Sequence, residues 1–395
     1  MGQAAYSDDR ISVIAQEPEQ DQSDLPFTDE EVFHAHRFHR SLPGYQPTPL
    51  VSLSAAAARH KVRSICVKDE SVRFGLKAFK GLGGSYCMFR ILCERLSLDY
   101  RTADYTAFLD NSIRKQCSRI EFVTATDGNH GKGVSWAAKL FGCKAHVFMP
   151  KGSSEARRRA IEEAGEATCR ITDLNYDQTV RYAASVAEEK GWILIQDTSW
   201  GGYEKIPRWI IEGYLTITKE IEEQLDGIVP THVFLQAGVG AMAGGVEACL
   251  TRRFCTGKLL TAIVEPREAA CIYQSVLAGD GRAHSITGDP VTIMAGLNCG
   301  TPCGIMWPVL RDHSAFFCAC DDVVTEAGMR AYAAPLGEDR PIVSGESGAV
   351  TYGLLLHILA SDECRNLFGI RSDSVILLIN TEGDTDPEEY HRIVG

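Results

Sequence analysis

Two hydrophobic rhythms alternate along this chain. Short β-branched runs (RSICVKD, IEFVTAT, KAHVFMP, WILIQD, THVFLQAG, LTAIVEP and SVILLIN) read as strands. Between them lie longer stretches of helical character such as GKGVSWAAKLFG, SEARRRAIEEAG and YDQTVRYAASVAEEKG. Strand, helix and strand in repeated succession predict an α/β chain whose open, twisted, mostly parallel sheets are joined by crossover helices. Ligands of such sheets bind beyond the carboxyl ends of the strands, so the loops that follow strands are where chemistry is sought. No internal repeat and no low-complexity tract interrupts the alternation.

Composition narrows the class. With 395 residues, 45% hydrophobic and 23% charged, the chain can bury a large core, and its length favours two domains over one. A net charge of -12 excludes nucleic acid and anionic membrane as main partners, because both demand clustered cations. A small molecule is the expected partner. No run approaches the roughly 18 apolar residues of a membrane span, and the first residues lack the basic start and apolar centre of a secretory leader. Tyr6 stands where a myristoylation pattern wants Ser or Thr. Cytoplasmic residence is the expectation. The 14 cysteines sit in apolar segments such as MFRILCERL and GVEACL, as reduced packed thiols do, and no Cys/His spacing suits a metal. The first 25 residues, acidic and polar, are expected to form a flexible arm.

Three loops after strands stand out: TATDGNHGKG, QDTSWGGYEKIP and QAGVGAMAGG. The last is crowded with Gly and Ala where a strand turns into a helix, so backbone N–H groups can approach an anion and the helix adds its positive end. A phosphate is the natural guest, although Gly238 and Gly240 could equally serve tight helix packing. Neither a P-loop nor a dinucleotide fingerprint is present in its required context, which leaves a phosphate-bearing cofactor. FGLKAFKGLGG poses a separate question, with two lysines just ahead of three glycines in four positions. A lysine that forms a Schiff base must spend time as a neutral amine, and burial favours that form. Lys80, at the start of the expected helix, is the residue so placed; Lys77 reads as solvated.

KDESVRFGLKAFKGLGG, TDGNHG, AGVGA and SGESGA resemble the fold-type II pyridoxal-phosphate enzymes, the tryptophan synthase β family. Within that family RFGLKAFKGLGG, TATDGNHGKGVSWAAKLFG, QDTSWGGYEKIPRWIIEGY, MAGLNCGTP and NTEGDTDP resemble the diaminopropionate ammonia-lyases. The likeness runs from Tyr45 to Asp386. It implies pyridoxal 5'-phosphate as cofactor, no metal, an amino-acid substrate, a homodimer, and a large domain (26–90 and 197–395) with a smaller mobile one (91–196).

By the same resemblance Lys80 would hold the cofactor's aldehyde and act as base at the substrate's Cα. Asn129 would donate to the phenolic oxygen, and Gly238, Val239, Gly240 and Ala241 would offer backbone N–H groups to the phosphate. Thr381 would meet the pyridine nitrogen, with Thr385 as its nearby substitute. A hydroxyl there suits β-elimination better than transamination, because it does not enforce a protonated ring. Asp127 and Asp197 would handle the second amine of the substrate, Asp127 also taking the Cα proton of a D isomer. Two carboxylates suit a doubly aminated substrate, since they attract its β-ammonium and keep the departing nitrogen protonated. Glu346 is a further candidate to line the site, and His130 reads as packing. The implied reaction is α,β-elimination of 2,3-diaminopropionate to pyruvate and two ammonia. A serine or threonine dehydratase, a β-replacement enzyme and a catalytically idle relative remain alternatives.

Overall fold

The computed structural model describes residues 4–126, 128–254, 259–288 and 290–395. The chain divides into two compact units. Residues 1–26, 48–72 and 220–395 make the first unit, and 27–47 with 73–219 make the second. The boundaries expected at 90/91 and 196/197 both fall inside the second unit, because the helix Lys80–Arg95 packs against both Asn129–Phe141 and Lys205–Tyr214.

The strands are β1 (Ala4–Ser7), β2 (Ile11–Ala15), β3 (Leu50–Ser52), β4 (Ser64–Asp69), β5 (Glu121–Ala125), β6 (Lys144–Met149), β7 (Thr168–Ile171), β8 (Ile193–Leu194), β9 (His232–Gln236), β10 (Leu260–Pro266), β11 (Phe316–Cys320) and β12 (Val375–Asn380). The first unit holds an eight-stranded sheet in the order β1-β2-β11-β10-β9-β12-β4-β3. Its centre, from β11 to β4, is parallel, and antiparallel pairs close it at both edges. Every residue of β9, β11 and β12 is buried, as parallel strands covered by helices on both faces must be. The second unit holds a four-stranded parallel sheet, β7-β6-β5-β8. The expected α/β class, with two mostly parallel sheets flanked by helices, is what the chain adopts.

The acidic start departs from expectation. Described residues of the first 25 are not an unattached arm: β1 and β2 form a hairpin, and β2 runs antiparallel beside β11 from Ile11↔Cys320 to Ala15↔Phe316. Ile11 and Val13 enter the core of the first unit, while Asp9 and Arg10 just before them are exposed.

One buried ion pair is built into the first unit. Lys68, wholly buried on β4, places Nζ 2.6 Å from the buried Glu220 carboxylate and donates to the Thr48 carbonyl at 2.7 Å and Gln224 at 2.8 Å. A buried ammonium without such partners would be driven to its neutral form. Thr48 and Glu220 each begin a segment of this unit, so the pair joins places where the chain enters it.

Candidate active site

The three glycines after Lys80 do not form a turn. They lie inside the helix Lys80–Arg95 and thin it on the faces that meet two other helices. A Cβ on Gly83 would sit 2.5 Å from the Tyr214 ring, and one on Gly133 would sit 2.9 Å from the Lys80 carbonyl. Gly84 meets the Gly133 backbone, where a Cβ would come within 3.1 Å. The small residues therefore let the helices close in around the backbone of Lys80. Lys77, expected to be solvated, is half-buried at φ 57.

Lys80 opens this helix, with Nζ 5.3 Å from the Phe79 ring centroid and 5.8 Å from that of Tyr214. Its ammonium lies 2.5 Å from Asp197 Oδ2, with side-chain exposures of 19% and 9% for the pair. Burial alone pushes the Asp197 carboxyl up. The charge of the Lys80 ammonium, with the hydrogen bond from Nζ, outweighs that effect and holds it well below the usual carboxylate range. Asp197 is thus an anion matched to an amine.

The loop carrying Asp197 is held by side chains rather than by regular structure. Tyr203 Oη donates to the Leu194 carbonyl at 3.0 Å and accepts from Gln196 N at 2.8 Å. Its ring stacks on Trp200 at 4.3 Å across the tight Gly201-Gly202 turn. Gln196 Oε1 accepts from Ala125 N at 3.1 Å and Thr124 Oγ1 at 3.2 Å, which ties the loop to the end of β5. Asn129 begins the helix Asn129–Phe141, and His130 beside it is buried, Nε2 3.0 Å from the Ile195 carbonyl. Asp127, the other expected acid, lies outside the described residues.

In the first unit, β9 leads through Gly238, Val239 and Gly240 into the helix Ala241–Arg253. Gly240 takes φ 83, where a side chain would be strained, and no side chain caps the first turn of that helix. The carbonyls of Gly238 and Val239 face Cys271 Sγ at 3.7 Å and Cys303 N at 2.6 Å. What the turn offers a guest is its N–H side, the chemistry of an anion site. Thr381, just past β12, is buried, and its Oγ1 lies 2.9 Å from Gln236 Nε2. The same nitrogen donates to the Ile379 carbonyl at 2.9 Å, an atom that can only accept. Gln236 therefore presents NH₂ to Thr381, whose hydroxyl accepts it and keeps its own hydrogen to donate elsewhere. Glu346, also expected near the site, opens the helix Glu346–Leu359 and is buried there.

Taken unit by unit, the second holds an amine beside a buried carboxylate, and the first holds an uncapped helix start behind a glycine turn and a hydroxyl fixed as a donor; these are the chemistries that an aldehyde, a phosphate and a pyridine nitrogen ask for. A family model described as pyridoxal-phosphate dependent enzyme matches residues 42–381. Diaminopropionate ammonia-lyase of Salmonella typhimurium is 47% identical over 364 residues, 90% of each chain. This chain belongs to the diaminopropionate ammonia-lyase family of pyridoxal-phosphate dependent enzymes. Another member of the family, from Escherichia coli K12, is 46% identical over 373 residues, 93% of this chain and 92% of its own. The crystal structure of Escherichia coli diaminopropionate ammonia lyase in complex with D-serine superposes with a TM-score of 0.90 at 41% identity, covering 98% of this chain and 97% of that one. Family membership makes pyridoxal 5'-phosphate the cofactor and the architecture fold-type II. Among the described residues no group of three or more His, Cys, Asp or Glu side chains could hold a metal ion, and no helix is long and apolar enough to cross a membrane.

Sequence reasoning passed over two residues of this arrangement. Gln236 gives no signal beyond its place at the end of a strand. His130 was legible as the neighbour of Asn129 in TDGNHG, yet reads as packing until its ring is seen beside Asp197.

Proposed function

We propose that the chain eliminates ammonia from 2,3-diaminopropionate, giving 2-aminoacrylate, which water converts to pyruvate and a second ammonia. The observation that carries this reading is the Lys80–Asp197 pair, 2.5 Å apart and largely buried. Bound pyridoxal 5'-phosphate supplies an electron sink that acidifies the substrate's Cα–H. Lys80 is the residue that would hold its aldehyde and, once released, would take the Cα proton. Asn129 would donate to the phenolic oxygen, Thr381 would donate to the ring nitrogen, and the N–H groups of Gly238, Val239, Gly240 and Ala241 would hold the phosphate. Asp197, an anion at neutral pH, attracts the β-ammonium and keeps the leaving nitrogen protonated. Asp127 is proposed as the second acid and as the base toward a D isomer.

A homodimer in the cytoplasm belongs to the same reading, supported by the likeness to the bacterial family; light scattering after gel filtration tests the dimer. The reaction is tested by pyruvate and ammonia release from D- and L-2,3-diaminopropionate, serine and threonine. Turnover of diaminopropionate well above that of both hydroxy amino acids is expected. Preference for serine or threonine would reassign the chain to the dehydratases.

A further inference from the structure

His130 is 5% exposed, and its two ring nitrogens are treated differently. Nε2 lies 3.0 Å from the Ile195 carbonyl, which can only accept, so the hydrogen of the neutral ring sits on Nε2. Nδ1 is then a bare lone pair. Among the described residues it is buried without a hydrogen-bond partner, and Asp197 Oδ2 lies 3.7 Å from it. A lone pair and a carboxylate oxygen both want a proton, and neither brings one. The third member of the row supplies it: Lys80 Nζ, 2.5 Å from the same Oδ2.

We propose that His130 is a positioning residue for the site's proton, with Nδ1 storing what the Lys80–Asp197 pair gives up when Lys80 must be a neutral amine. This rests on the reading of Lys80 as the reacting amine. The bookkeeping is closed. An N–H bond of the Lys80 ammonium breaks as an O–H bond forms on Asp197; that O–H then breaks as N–H forms at Nδ1. Nε2–H stays on the Ile195 carbonyl throughout. A neutral amine, a carboxylate and an imidazolium replace an ammonium, a carboxylate and a neutral imidazole, with no electrons gained or lost. Closing 3.7 Å to hydrogen-bond length takes about half an ångström, within reach of a small carboxylate rotation. The return journey delivers the proton, through Asp197, to the departing nitrogen.

The surroundings allow both states. Burial pushes the pKa of His130 down, the charge of Asp197 pulls it up and that of Lys80 pushes it down again, leaving the ring neutral while Lys80 is an ammonium. Loss of the Lys80 charge removes one of the two effects that keep it neutral. Tyr203 and Tyr214 also face Asp197, and burial pushes both phenols up, so they keep their own protons. Asp127 stands outside the described residues.

The test reads the imidazole directly. Full-length protein carrying ¹⁵N-histidine is titrated without cofactor and again cofactor-loaded, His130 being identified by its lost signal in His130→Gln or His130→Asn. The neutral ring should carry hydrogen on Nε2, and its titration midpoint should rise in Lys80→Met and fall in Asp197→Asn. Hydrogen on Nδ1, or a midpoint indifferent to both substitutions, overturns the proposal. Kinetics give a second readout. Gln at 130 can keep the bond to Ile195 while losing Nδ1, so kcat for diaminopropionate should drop roughly 10²-fold with KM nearly unchanged; an unaltered kcat overturns the relay. If the native protein fails to turn over diaminopropionate, the functional reading falls and the titration still judges His130. If His130→Gln does not fold, the Lys80→Met and Asp197→Asn titrations decide.

Discussion

The chemistry rests on a few buried polar atoms whose partners dictate their state. Asp197 is an anion because the charge of Lys80 and the hydrogen bond from its Nζ outweigh burial, and Thr381 is a donor because Gln236 has its amide nitrogen fixed by the Ile379 carbonyl. Substituting Asp197 by Asn keeps the shape and removes the charge. The holoenzyme of that variant should retain its cofactor absorbance while kcat for diaminopropionate falls between about 10² and 10⁴-fold, the range of a lost acid–base group. Steady-state assays beside an absorption spectrum measure both; near-native turnover would mean that Asp197 serves structure alone.

At the scale of the element, the site depends on how closely helices approach. Gly83 and Gly133 leave no room for a methyl against the Tyr214 ring and the Lys80 carbonyl. Gly83→Val should destabilise the second unit by about 1–3 kcal/mol or more and reduce cofactor retention, because the helix bearing Lys80 must shift outward. Chemical denaturation and a cofactor-release assay check it. The seven runs read as strands all appear as strands, since β-branched residues in unbroken apolar runs have few other places to go. What escaped the sequence had weaker signals. β11 is built from FFCAC, aromatic and thiol rather than β-branched, and β2 is a short apolar run lost among acidic neighbours. The glycines after Lys80 were visible, but whether they serve a turn or a helix contact depends on partners more than a hundred residues distant, Tyr214 among them. His130 was overlooked for the same reason, as its orientation is set by a carbonyl at the end of another strand segment.

For the whole molecule, charges buried away from the site shape the response to pH. Glu247, on the helix Ala241–Arg253, is buried with Ser314 Oγ 2.9 and 2.8 Å from its two oxygens, and burial pushes its carboxyl up to about 8. The group is neutral in the fold and ionised in the unfolded chain over the interval between. Its contribution to stability is therefore complete below the unfolded value and fades as pH rises to about 8. Glu247→Gln should flatten the loss of melting temperature across that interval, the effect being at most a few kcal/mol. Melting curves of both proteins from pH 5 to about 9 test this; parallel curves would show that Glu247 is already ionised in the fold.

Lys80 is expected to be the residue covalently joined to the cofactor. Borohydride reduction of the holoenzyme, followed by protease digestion and mass spectrometry, measures it most directly. A reduced pyridoxyl-phosphate group is expected on the peptide containing Lys80, and none after Lys80→Ala. A group on Lys77 or any other lysine of the native protein, or on no peptide at all, would contradict it.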